Sequence, residues 1–436
     1  MPIHIFNHLC LQRVFTRIVA PPIAAALIFS LTLMTIVGSV RAENWPGWRG
    51  PRGDGTSREP NVPTRWNAEG AAWKMPISGV GHSSPIVWND RVFVVSCLPE
   101  TNERVLLCID ATSGKTVWTT TVVKAPLEKK HSLNSFASGT PVTDGELVYV
   151  SFLEADFASE QERTPGNMVV AAFDFQGNRR WEVRPGRFAS VHGYCSCPVL
   201  FEDKLIINGD HDGDSYLVAL HRKDGSTAWQ VAREHKTRSY VTPIIRNLDG
   251  RTQMIMSGSK SVVSYDPQNG ERHWWIDGPT EQFVASMVDN GKLLFLTAGF
   301  PEHHILAIRP DGKGNVTDSH IVWRTNKGCS YVPSPIISGD YFLVVSDQGF
   351  ASCFDAATGE RHWMQRLGDK CSASLVEANG LVYFVREDGV TKVVRPGKKY
   401  EEVASNELGE PCYASPAISN GKLYIRSERS LFCISP

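Results

Sequence analysis

The chain of 436 residues lacks most features that would point straight to a chemistry. No Lys/Arg-rich run stands out and the formal net charge is −1, so nothing calls for nucleic acid or an anionic membrane surface as a partner. There is no phosphate-cradling Gly loop with Lys-Ser/Thr, no G-x-S-x-G elbow and no H-E-x-x-H pair. No Cys-x-x-Cys-His is present for covalent haem, and no Cys-Cys dipeptide occurs anywhere. No amphipathic helical period appears after the N-terminus. The absence of helices excludes bundles and α/β folds and leaves an all-β chain.

One long apolar run is present, from Ile18 to Val40, preceded by Arg13 and Arg17 and followed by Val40-Arg41-Ala42. The pattern predicts a secretory signal over 1–42, cleaved after Ala42. The alternative is an uncleaved membrane tether, since the run is long enough to span a bilayer. Either reading places the protein outside the cytoplasm, in the periplasm or cell envelope. Residues 43–70 read as a Pro/Gly-rich lead-in, and 71–436 as the folded body.

That body repeats a phrase: a small residue, an apolar residue, Asp, a turn with Gly, then Trp. It runs Cys108-Ile109-Asp110-Ala111-Thr112-Ser113-Gly114 to Trp118, Ser264-Tyr265-Asp266 to Trp274, and Cys353-Phe354-Asp355 to Trp363. Looser copies end at Trp181, Trp229 and Trp323. Each unit opens on Ser-Pro or a variant, such as Ser84-Pro85, Thr140-Pro141 or Ser334-Pro335. A β-branched and aromatic run follows, as in Leu147-Val148-Tyr149-Val150. These are strand residues between turn residues, four strands per unit. Eight openings, at Pro85, Pro141, Pro198, Pro243, Met287, Pro335, Leu375 and Pro416, predict an eight-bladed β-propeller of four-stranded antiparallel blades.

The ends test the count. The last unit stops at Pro436 without its Trp strand, while an orphan strand, Ala71-Ala72-Trp73-Lys74-Met75-Pro76, precedes the first. An N-terminal strand is therefore expected to complete the last blade and close the ring, removing the open sheet edges. Trp73, Trp118, Trp181, Trp229, Trp274, Trp323 and Trp363 are expected to be structural wedges between blades.

The phrase with its Trp resembles the repeat of the pyrroloquinoline-quinone-like propellers. The resemblance covers roughly 71–436. That family includes quinoprotein alcohol dehydrogenases and the propeller lipoprotein of the outer-membrane barrel assembly machinery. The opening Asn44-Trp45-Pro46-Gly47-Trp48-Arg49-Gly50-Pro51 resembles the lead-in of an exported branch of the same family. Two functions follow from the resemblance. One is a binding or scaffold module for envelope proteins or peptides, with no cofactor. The other is an oxidoreductase holding pyrroloquinoline quinone and Ca²⁺ at the channel mouth. The quinone enzymes carry a vicinal Cys-Cys that this chain lacks, so the enzyme reading is the weaker, and no catalytic or metal-binding residue is assigned.

Propellers gather at one channel mouth the loops that lead into their first strands. These loops supply the candidate ligand-binding residues: His82, His131, Asn134, His192, Tyr194 and Arg238, then Tyr240, Glu281, Tyr331, Lys370 and Tyr413. Such side chains offer polar handles on apolar bodies. Cys195-Ser196-Cys197, with Cys329, Cys371 and Cys412, leaves open free thiols, a disulfide or a metal site. Asp210-His211-Asp212-Gly213-Asp214 resembles a calcium loop but lacks its closing Glu, and reads as a hairpin turn.

Overall fold

The computed structural model describes residues 43–436, so the expected signal at 1–42 lies outside the described residues. Among the described residues there is no helix, and the strands form eight sheets arranged as a ring: an eight-bladed β-propeller. Blade 1 shows the plan, with strands Ile86–Trp88, Arg91–Leu98, Glu103–Asp110 and Thr116–Lys124 in antiparallel order from channel to rim. Two blades gain a fifth, parallel strand. Gly314–Asn315 adds to the rim of blade 4, and Thr56–Ser57 to the channel side of blade 7.

Each element of the repeated phrase has a position that explains it. Asp110 accepts hydrogen bonds from the backbone N–H groups of Thr112 (3.2 Å) and Ser113 (2.8 Å), and Asp355 does the same for Ala357 and Thr358. This local capping bends the chain, and Gly114 completes the turn at φ +69°. The small residue lies directly opposite the Trp: Cys108 faces Trp118, Ala172 faces Trp181, Ala219 faces Trp229 and Cys353 faces Trp363. A large side chain at that second position would occupy the space of the indole. In blades 1 to 6 a bulge lies beside the pair and twists the rim strand.

The indole then reaches into the next blade. Trp118 donates to the carbonyl of Phe175 (2.9 Å), Trp181 to Arg222 (2.8 Å), Trp229 to Pro267 (3.1 Å) and Trp323 to Ala356 (3.0 Å). In each case the acceptor follows the residue at the Asp position of the neighbouring turn. Trp274 differs. It is fully buried and donates to Gln253 Oε1 within its own blade (2.9 Å). Blade 7 inverts the pair, with Val393 opposite Ala404 and no Trp. There, Trp66 from the lead-in stacks on Tyr383, with ring centroids 6.3 Å apart.

Closure uses the N-terminal strand. Trp73–Pro76 pairs with the strand Ser430–Ile434, with Trp73 opposite Cys433. Hydrophobic cores fill the wedges between neighbouring blades rather than one centre. One cluster joins Phe93 and Leu106 of blade 1 to Val150 and Phe173 of blade 2.

Candidate functional site

The Ser-Pro openings build a belt around the channel. At six of the eight junctions the backbone N–H of one blade donates to the side chain at the same position in the next. Ser84 donates to Thr140 Oγ1 (3.1 Å), and Thr140 to Cys197 Sγ (3.2 Å). Ser286 donates to Ser334, Ser334 to Ser374 and Ser374 to Ser415, each at 2.9 Å. Ser415 donates back to Ser84 at 3.1 Å. A buried N–H without a partner is costly, so each opening needs an acceptor one blade away. This is why Cys197 stands among hydroxyls: its sulfur serves as the acceptor at that step. No disulfide joins the nine cysteines among the described residues, and no cluster of three or more potential metal ligands occurs among them.

The Pro/Gly-rich lead-in forms a floor across the far end of the channel. Trp45 exchanges two backbone hydrogen bonds with Val87 of blade 1, both at 2.8 Å. Pro46 accepts from Thr143 of blade 2. Trp48 donates its indole N–H to Ser286 Oγ of blade 5 (3.0 Å), and Arg49 donates to the Pro335 carbonyl of blade 6 (2.7 Å). Gly55 accepts from Glu377 of blade 7, and Glu43 from the Ser419 hydroxyl of blade 8. Trp48 thereby becomes the base of a cup open at the other mouth.

The cup holds a cavity of about 170 Å³ lined by residues from all eight blades. Seven of the eleven sequence candidates line it: His82, His131, Asn134, His192, Tyr240, Tyr331 and Tyr413. His82 stacks on Tyr413, with centroids 4.6 Å apart, and the ring of His131 stands edge-on to His192 at 5.2 Å. Tyr240 shares a hydrogen bond with Ser190 (2.8 Å). Arg238 sits behind this group, donating to His192 Nδ1 (3.3 Å) and Asp212 (2.6 Å). Tyr194 turns instead into the wedge beside Phe188 and is buried there. Glu281 lies exposed beside Lys260, and Lys370 is exposed outside the cup.

The lining contains no Asp, Glu, Lys or Arg. Burial, reinforced by Arg426 and Lys130, pushes the His82 pKa down to about 4. Burial and then Arg238 do the same for His192, also to about 4. Burial raises Tyr331 to about 12 and Tyr413 above its ordinary value. These four side chains are therefore neutral at pH 7, and the cup offers aromatic faces, hydroxyls and neutral imidazoles. Pyrroloquinoline quinone carries three carboxylates and needs cationic donors, while Ca²⁺ needs carboxylate oxygens. The lining supplies neither and does not fit that pair.

The Asp210–Asp214 segment is the hairpin loop between strands Lys204–Gly209 and Tyr216–His221. Asp210 is committed to a buried ion pair with Arg233 (2.9 Å), which also donates to the Tyr265 hydroxyl and the Gly258 carbonyl. Sequence spacing gave no sign of this pair, because Asp210 in the hairpin loop and Arg233 just after the strand Thr227–Ala232 are 23 residues apart in the chain.

A family model described as outer membrane protein assembly factor BamB matches residues 64–150, 101–297 and 313–396. No curated protein sequence matches the chain. Among solved structures, BamB from Moraxella catarrhalis is similar at 13% identity and TM-score 0.59, covering 84% of this chain and 99% of that one. A europium-containing methanol dehydrogenase gives 12% identity and TM-score 0.61, covering 88% and 89%. The quinohemoprotein alcohol dehydrogenase from Comamonas testosteroni gives 12% and 0.60, covering 89% and 80%. At these identities the structural likeness speaks to the fold alone.

Proposed function

The chain belongs to the family described as outer membrane protein assembly factor BamB, and from that premise we propose that it is an exported binding module of the cell envelope. It takes an uncharged, aromatic or hydroxyl-bearing segment of a partner protein or peptide into the cup. The observation that carries this reading is the cup itself: floored by Trp48, rimmed by His82, Tyr413 and His192, and without Asp, Glu, Lys or Arg in its lining. An apolar wall with hydroxyl handles rewards a ligand that buries rings and leaves no charge unpaired. The apolar run from Ile18 to Val40, expected from its sequence to act as an export signal, supports the envelope location.

The test uses immobilised protein challenged with a library of neutral and charged short peptides. Enrichment of neutral aromatic peptides, lost in the His82→Ala/Tyr413→Ala double variant, is expected. Enrichment of acidic or basic peptides instead would count against the reading. Stoichiometric co-elution of pyrroloquinoline quinone with Ca²⁺ in gel filtration would overturn it in favour of the oxidoreductase.

A further inference from the structure

The floor of the cup starts at Glu43, the residue that follows the expected cleavage point. Beside it lies Glu59, only 3% exposed. Its carboxylate accepts from the backbone N–H of Asn420 (2.6 Å), from that of Gly421, and from the backbone nitrogen of Glu43 (2.8 Å). All three donors are main-chain nitrogens, and Glu59 takes part in no ion pair among the described residues. A buried carboxylate held only by neutral donors lacks the countercharge that would offset its desolvation.

We infer that cleavage between Ala42 and Glu43 creates that countercharge, so that the new α-ammonium of Glu43 pairs with Glu59 and locks the floor to blade 8. The step is hydrolysis of one peptide bond by a membrane protease selective for small residues. The Ala42–Glu43 C–N bond breaks. One water supplies the oxygen that completes the Ala42 carboxylate and the two protons that turn N–H into an ammonium. The nitrogen is already within hydrogen-bond distance of the carboxylate.

Its surroundings hold it there. The Glu43 carbonyl accepts from Ser419 Oγ (2.7 Å), and the Glu43 carboxylate takes both arms of Arg52 (2.6 and 3.0 Å). Next in the chain, Asn44 accepts from the backbone of Asn89 in blade 1 (2.7 Å). The other charges near Arg52 are Asp54 and Glu377. An unprocessed chain offers Glu59 a neutral amide, whereas a processed one offers a full positive charge. The inference therefore selects cleavage over a retained tether.

The first measurement is mass spectrometry of the N-terminal peptide of protein recovered from its native envelope. A peptide beginning at Glu43 is expected, and any other first residue overturns the inference. The second compares the melting temperature of a chain released at Glu43 with one retaining Ala42, which displaces the ammonium by about 3.8 Å. Retention of Ala42 should lower Tm by on the order of 5 °C at pH 7. The same comparison in the Glu59→Gln background should show little difference. An equal loss in both backgrounds would refute the ion pair. The pair stabilises the charged amine, so its contribution is present below about pH 8, where the unfolded amine titrates, and is lost as pH rises further. A difference that stays constant to high pH also overturns it.

Discussion

Trp73 donates its indole N–H to the carbonyl of Ala111 at 3.1 Å, so a residue of the N-terminal strand fastens blade 8 to blade 1. The same bond recurs around the ring. At this junction it joins segments that are remote in the chain, because blade 8 takes its rim strand from Trp73–Pro76. The position where the repeat lacks its Trp follows from the same geometry. Blade 8 reaches its rim strand without an Asp-Gly turn, so nothing there receives an indole from blade 7. Ala404 stands at that site instead.

Replacing Trp73 with Ala should cost about 3 kcal/mol, as for other large-to-small changes at partly buried aromatics. Deleting 43–78 should cost far more, because it opens the ring and exposes sheet edges. Chemical denaturation measures both. Equal stability of the deletion and the parent would refute closure by this strand.

Gly114 tests the latch from the other side. It has φ +69°, and a Cβ there would lie 2.6 Å from Trp73 Cδ2. Gly114→Ala should therefore destabilise by more than the roughly 1 kcal/mol that backbone strain alone costs. Gly339, with φ +58° and open space around it, is the control where only the strain applies. Denaturation midpoints that match for the two variants would show that the indole yields freely.

Arg233 and Asp210 are both buried, with side chains 2% and 0% exposed. Arg233→Met should cost about 3–5 kcal/mol, since it leaves a buried charge without a partner. Adding Asp210→Asn should recover part of that loss. A double variant no better than the single one would mean that the hydroxyl of Tyr265, rather than the carboxylate, anchors Arg233.

The cup histidines set an acid limit. His82 and His192 titrate near 4 in the folded chain and near 6.5 when unfolded, so the unfolded chain binds more protons between those values. Stability should be full above about pH 6.5 and fall as pH drops toward 4. In His82→Gln/His192→Gln that part of the Tm–pH curve should flatten. A slope unchanged by the double variant would place the acid sensitivity elsewhere.

Thiol titration reports two features at once. Burial pushes Cys97 and Cys433 up to about 11 and Cys108, Cys353, Cys371 and Cys412 to about 12, so these six should resist thiol reagents at pH 8 in the native state. In denaturant without reductant, ten thiols should react in the full chain and nine after loss of Cys10 with residues 1–42. Fewer would reveal a disulfide.

Much of the blade plan was legible because a strand has a fixed side-chain period. The Asp-Gly turn marks each unit, and the Ser-Pro opening sets where each inner strand starts. The mouth residues were only partly legible. His82, Tyr240 and Tyr413 point into the cup while Tyr194, from the same kind of loop, turns into a wedge. Loop side chains follow no period, so sequence position places a loop but not the direction of its residues. Trp48 stood out only as part of the lead-in phrase, and nothing in the sequence placed it in the cup: its partner Ser286 is 238 residues away.

By itself the sequence determined the number of blades, their internal register and the strand that closes the ring. Those depend on local turns and on a residue pattern repeated within each unit. Only the tertiary structure decided that the lead-in floors the channel, that the Ser-Pro hydroxyls link neighbouring blades, and that the resulting cup has no Asp, Glu, Lys or Arg in its lining. These features arise where eight distant segments meet, and the chemistry of a shared cavity is set by which side chains face one another.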